Sequence, residues 1–320
     1  MLQLQNPLLI PEILERISLF VSAWTPHRHH SYKDNISDHR PISYTYRPQD
    51  LLACALTSRL WYRTFYRQLW TVFDGDAMSS SHSTRCSGGG QPPPTNKAAV
   101  VPEELLLAYS AHCRVLTNYS RRISAVLACR HLVDLTLYGN SPQSLQLVRS
   151  NPGLKRLTWI GAMPDWGMVC DLETDAMSNL TSLQELTLQQ WDISDGKLVE
   201  ILRRNTGSLV KLRLKQVQGF DVLYSEQEGK EKEIQDRQDQ DLIMEQLEEL
   251  TLDCEWIDNF ALLDFITQCT PKLQRLQLSS TLLDDARMMG RLAVALVETH
   301  PELKPSDAFA SCYSKAQQIL

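Results

Sequence analysis

The sequence predicts an α/β solenoid, parallel strands backed by outer helices, preceded by a small bundle of three helices. Three observations predict it. A triplet of the form Leu-x-x-Leu-x-Leu keeps returning, the segments between its copies change to helical spacing, and the first 74 residues are helical in pattern without the triplet. The copies are Leu132-Leu135-Leu137, Leu183-Leu186-Leu188, Leu209-Leu212-Leu214, Leu247-Leu250-Leu252 and Leu273-Leu276-Leu278, with a sixth in which Leu154 and Leu157 are followed by Trp159. Between the middle leucines the steps are 22, 29, 26, 38 and 26 residues.

Taken in order, residues 1–74 form a helical domain. Ile10-Pro11-Glu12-Ile13-Leu14 opens a helix with proline in its first turn, and Ile10, Ile13, Leu14 and Ile17 share one face. Pro48 to Leu56 opens a second helix in the same way. Thr57 or Ser58 caps a third, Arg59 to Leu69, carrying Leu60, Trp61, Phe65 and Leu69. Between the first two lies an inserted loop, 22–47, with His27, His29, His30 and His39. Their spacing fits no metal site, and the loop reads as solvated. Three short helices make too small a core to be comfortable alone, so they are expected to pack on something else.

Residues 75–98 hold Ser79-Ser80-Ser81, Gly88-Gly89-Gly90 and Pro92-Pro93-Pro94, the composition of a flexible linker. Residues 99–304 carry the repeats, whose lengths mark a leucine-rich-repeat horseshoe. Each triplet is expected as a strand with leucines inward. Leu198-Ile201-Leu202, Phe260-Leu263-Ile266 and Leu292-Leu296-Val297 supply helices between them. Asn151-Pro152, Thr270-Pro271 and His300-Pro301 end helices just before strands. Cys113-Arg114-Val115-Leu116 reads as a degenerate earlier copy. Leu303 stands where another should begin, but Lys304-Pro305 breaks it, and 305–320 reads as an irregular C-terminal tail.

The net charge is −6, and the loop 225–241 accounts for much of it, with seven acids against three bases. No broad basic footprint suggests nucleic acid. The eight cysteines include no Cys-x-x-Cys pair, and most sit beside apolar residues, as reduced core thiols do. The first eleven residues lack the pattern of a signal peptide, and no apolar run approaches a membrane span. The expected location is cytoplasmic or nuclear.

A curved parallel sheet leaves one face open to hold another protein. Its outward residues would be Asp134, Thr136, Tyr138; Arg156, Thr158, Ile160; Glu185, Thr187, Gln189; Lys211, Arg213, Lys215; Glu249, Thr251, Asp253; and Arg275, Gln277, Ser279. Tyr138, Arg156, Lys211, Arg213 and Lys215 are the candidate target-binding residues. The stripe Lys211-Arg213-Lys215 is purely basic. It either grips an acidic or phosphorylated segment or is neutralised by Glu249 and Asp253 on the next strand.

Ile10-Pro11-Glu12-Ile13-Leu14, Asp50-Leu51-Leu52-Ala53-Cys54, Ser58-Arg59-Leu60-Trp61-Tyr62 and Leu69-Trp70 resemble an F-box over about 65 residues. The opening is one residue shorter than usual, and the 26 residues from Ser22 to Arg47 replace a junction of a few. Followed by leucine-rich repeats, the chain is similar to fungal-type F-box/leucine-rich-repeat proteins. That resemblance implies a substrate receptor of a Skp–cullin–F-box ubiquitin ligase, with the F-box on a Skp-family adaptor and the repeats on an unknown protein substrate. By position, it assigns adaptor contact to Ile10, Pro11, Ile13, Leu14, Leu51, Leu52 and Trp61. The competing reading is that Ile13, Ile17 and Leu56 only fill the bundle's interior.

No phosphate-binding glycine loop, nucleophile elbow or metal-ligand spacing is present. The expectation is therefore a protein that is not an enzyme and takes no cofactor. A repeat scaffold acting outside ubiquitylation is the alternative.

Overall fold

The structure, a computed structural model, describes residues 10–18, 20–21, 24–28, 42–46, 49–74, 103–117, 126–161, 171–193, 197–218, 242–253, 259–278, 286–305 and 307–319. The expected linker 75–98 and charged loop 225–241 lie outside them. The chain divides into two compact units, 1–135 and 136–320. That boundary falls later than the expected one at the end of the linker, because residues 72–74 pair with a strand from beyond the linker.

In the first unit, α1 (Pro11–Ser18) begins with proline, whose missing N–H costs nothing at that position. Leu14 and Ser18 are its buried residues. Within the insert, β1 (Trp24–Arg28) and β2 (Ile42–Tyr46) form an antiparallel ribbon from Trp24↔Tyr46 to Arg28↔Ile42. The expected loop was thus incomplete: Ile42-Ser43-Tyr44-Thr45-Tyr46 alternates with the period of a strand and is rich in residues that favour one. The four histidines divide accordingly, with His27 in β1 and the other three outside the described residues.

The second helix, α2 (Gln49–Thr57), buries Leu51 and Ala55. Ser58 caps α3 (Arg59–Phe65), accepting the Trp61 N–H at 3.3 Å. The third helix is shorter than expected. At Tyr66 it tightens into a 3₁₀ turn, Tyr66–Trp70. Gln68 there donates to Ser18 of α1 at 3.3 Å. Both α1 and α2 pack on α3.

A short strand follows that sequence reading placed in the helical zone, β3 (Val72–Asp74). Then come α4 (Glu103–Tyr109), a 3₁₀ turn, and β4 (Val115–Thr117), which is the degenerate copy around Val115-Leu116. β3 and β4 are parallel, and β4 pairs with the start of β5 (Asp134–Tyr138) through Leu116↔Leu135.

The second unit alternates strand and helix: α5 (Pro142–Arg149), β6 (Arg156–Ile160), α6 (Asp171–Met177), β7 (Glu185–Asp192), α7 (Lys197–Arg203), β8 (Lys211–Gln218), β9 (Glu249–Asp253), α8 (Asn259–Cys269), β10 (Arg275–Leu278), α9 (Ala286–Thr299), β11 (Lys304–Pro305) and α10 (Asp307–Ile319). The strands lie side by side in chain order from β5 to β11. The pairings from β6 to β11 are parallel. This is an α/β arrangement, as the triplets predict.

Register explains the triplet. Leu157, Leu186, Leu212, Leu250 and Leu276 stand opposite one another across five strands, and Trp159, Leu188, Leu214, Leu252 and Leu278 form the next row. No residue of the six triplets is more than 4 % exposed. Full burial of one leucine stabilises by about 1.5–3 kcal/mol, so these rows dominate the core. Trp159 fits a leucine position because its indole N–H finds the Gly139 carbonyl at 3.1 Å. Trp191 does the same with the Trp159 carbonyl at 2.9 Å, and the two rings meet edge to face at 5.0 Å.

Two local devices shape the strands and their approaches. Two residues after the last triplet position the backbone passes through left-handed residues, Gly139 (φ 72°) just after β5, Gln190 (φ 60°) within β7 and Gln216 (φ 51°) within β8. Gly161 occupies the same place just after β6, and any Cβ there would press into the Gln190 carbonyl. Before the strands, buried side chains satisfy the turns. Asn205 donates to the Leu180 and Ile201 carbonyls and accepts the Leu183 N–H, all at 2.9 Å. Asn151, Thr270 and His300 occupy like positions and are also buried, and each follows the last residue or two of a helix, as the Asn-Pro, Thr-Pro and His-Pro pairs predict.

The end of the chain departs from expectation. Lys304-Pro305 does not break the repeat but forms β11, paired with Arg275-Leu276. Proline is tolerated at such a sheet edge. The stretch after it is helix α10 rather than an irregular tail. Phe309 and Tyr313, four apart, face inward at 0 % and 3 % exposure, and Tyr313 donates to the His300 carbonyl at 2.6 Å. The helix packs on α9 and covers β11.

Candidate binding surfaces

The two units each present one surface with binding chemistry, and each is described by itself.

On the second unit it is the sheet face opposite the leucines. Each strand contributes alternate residues to it. The first outward row, read across the register, is Arg156, Glu185, Lys211, Glu249, Arg275 and Lys304. Its signs alternate until the last pair. The second row is Thr158, Thr187, Arg213, Thr251 and Gln277, and the third carries Ile160, Gln189, Lys215 and Asp253.

Glu249 organises this face. Arg275 Nη1 reaches its carboxylate at 2.8 Å, Arg213 Nη2 at 3.4 Å and Lys211 Nζ at 3.5 Å. Of the two readings of the basic stripe, neutralisation therefore holds for Lys211 and Arg213. Lys215 stands opposite Asp253 in register. The remaining candidates differ in access. Arg156 is exposed, Tyr138 and Lys215 are half-buried, and Thr136 and Ile160, expected outward, are buried. Ser279 lies outside the described residues. What sequence reasoning missed is the lateral reach of Glu249 to both neighbouring strands; the alternating row was visible once the triplets were aligned.

On the first unit the surface is helical and apolar. The seven expected adaptor contacts divide. Pro11 is exposed and Leu52 is 43 % exposed; Ile10, Ile13 and Trp61 are half-buried, Trp61 stacking on Phe65 at 5.3 Å. Leu14 and Leu51 are fully buried, which corrects their assignment: their side chains fill the bundle and cannot meet a partner in this conformation. In their place the structure exposes residues that pattern reading left in the interior or passed over, Leu56 at 83 %, Phe20 at 88 % and Tyr62 at 52 %. The signal was present. Leu51 and Ala55 form one stripe along α2 and Leu52 and Leu56 a second, and a short bundle needs only one.

Among the described residues no three His, Cys, Asp or Glu side chains gather as metal ligands. No described helix is long and apolar enough to cross a membrane. No family model matches the chain, and no curated protein matches its sequence.

Proposed function

We propose that this chain is the substrate-recognition subunit of a Skp–cullin–F-box ubiquitin ligase, built as an F-box bundle followed by a leucine-rich-repeat solenoid. The helices of the first unit dock on a Skp-family adaptor and, through it, a cullin. The outward sheet face of the repeats holds the protein to be ubiquitylated. The chain performs no chemistry. It raises the concentration of its target near transfer machinery carried by other subunits. It would act in the cytoplasm or nucleus without a cofactor.

The observation that carries this reading is the second apolar stripe, Leu52 and Leu56 on α2, with Phe20 and Tyr62 also in solvent. Exposed apolar side chains grouped on one small bundle are an interface signature, and here they fall inside the segment that resembles an F-box. Tyr138, Arg156, Lys211, Arg213 and Lys215 remain the proposed target contacts. An acidic target would exchange Glu249 for its own carboxylates or phosphates at Arg213, whose side chain is 41 % exposed and whose contact with Glu249 is long at 3.4 Å.

The alternative is a repeat scaffold acting outside ubiquitylation. The ribbon β1–β2 favours it, since along the chain it separates α1 from α2 and α3, splitting the segment that resembles an F-box. Affinity purification of the whole chain separates the two. Adaptor and cullin should co-purify with the native chain and be lost from the double variant Leu52→Glu/Leu56→Glu, while other bound proteins persist. A native chain that brings down neither adaptor nor cullin leaves the scaffold reading in possession.

A further inference from the structure

Within the first unit a small cavity of about 20 Å³ is lined by Cys113 and Cys129 together with Trp70, Phe73 and Tyr109. That is room for about one water-sized molecule. Both cysteines are buried, at 4 % and 3 % exposure, and the ionisation of each thiol is shifted by the other. Cys113 Sγ also lies 3.3 Å from the Val115 carbonyl.

We propose that Cys113 and Cys129 form a reversible disulfide, made when a peroxide reaches the cavity whose wall they share.

The environment assigns the roles. The neighbouring Cys113 thiol holds the Cys129 thiol below its ordinary range; burial opposes this and the Arg130 guanidinium assists it. The same interaction, with burial, pushes Cys113 well above its range. Cys129 is the nucleophile and Cys113 the resolving thiol. The Cys129 thiolate attacks one oxygen of hydrogen peroxide. An S–O bond forms, the O–O bond breaks, and the departing hydroxide takes a proton to leave as water, so that Cys129 becomes a sulfenic acid. Cys113 sulfur then attacks Cys129 sulfur. The S–S bond forms, the S–O bond breaks, and the hydroxyl leaves as a second water with the Cys113 proton. Two thiols are oxidised and one peroxide is reduced. A thiol reductant reverses the bond. The link would join the residue two before β4 to the residue three before Leu132, where the first full triplet begins.

The test uses the purified whole chain, reduced, freed of reductant and titrated with hydrogen peroxide. Free thiols are then blocked and the chain is digested without reduction for peptide mass spectrometry. The expected product joins the Cys113 and Cys129 peptides with loss of two hydrogens, disappears with dithiothreitol, and gives way to scattered pairings when the oxidation is done in urea. With dimedone as trap, Cys113→Ser should accumulate an adduct at Cys129, and Cys129→Ser none at Cys113. If both cysteines are still blocked as free thiols at peroxide doses that oxidise any of the other six, or if either pairs with another cysteine in the folded chain, the proposal is overturned. Mapping of the native chain decides the matter even where a serine variant fails to fold.

Discussion

In the second unit every triplet leucine is buried and, on the opposite sheet face, Lys211, Arg213 and Arg275 pair with Glu249; in the helices of the first, Leu52 and Leu56 stand in solvent beside a buried stripe one residue away. Both segments are rich in leucine. The difference is one of closure. A strand in a parallel run hands its inward side chains to the next strand and its helix, so each repeat completes its neighbour. A short helical bundle has too little interior for all its apolar residues, and the surplus remains as a surface. The comparison teaches that leucine spacing reports burial where the repeat is regular, and that apolar residues exceeding a small core's needs stay at its surface.

Leu212→Ala strikes the comparison hardest. It removes a fully buried side chain from the middle of the ladder, and urea unfolding should register a loss of about 2–5 kcal/mol. A loss as small as a surface substitution gives would mean that the ladder is not the core. Asn205→Ala tests the turns that set the register. It leaves two carbonyls and the Leu183 N–H without their side-chain partner, and thermal and urea melts should show about 1–3 kcal/mol. Glu249→Gln probes the outward face. Its three ion pairs involve partly exposed partners, so the cost should be about 1 kcal/mol or less and should shrink as salt is added. Leu52→Glu/Leu56→Glu should move stability least, by about 0.5 kcal/mol or less, since both side chains already meet water. A large destabilisation there would erase the contrast between the units and make the second stripe a hidden part of the core.

Much of the fold was legible because its signals are local and repeated. Six copies of one spacing report the same inward face, and the Asn-Pro, Thr-Pro and His-Pro pairs report where helices stop. The end of the chain was misread because Lys304-Pro305 lacks the triplet and contributes only two residues of strand. What makes it a strand is pairing with β10 and cover from α10, whose Phe309 and Tyr313 are four apart on one helix face. The ribbon β1–β2 has a weak local signal because only its second strand, Ile42–Tyr46, alternates with the period of a strand. For the candidate surfaces, residue type does not report access. Leu51 and Leu52 are adjacent and chemically identical, yet one is enclosed and the other is not.

Sequence alone determined the α/β class, the inward positions of the strands and the alternation of strand with helix, because periodicity records which side of an element meets the core. Only the tertiary structure decided that Glu249 gathers three cations, that Leu56 rather than Leu14 faces solvent, and that Cys113 meets Cys129 across one cavity. Those facts depend on which segments become neighbours in space, and spacing along a chain carries no distance between residues that only folding brings together.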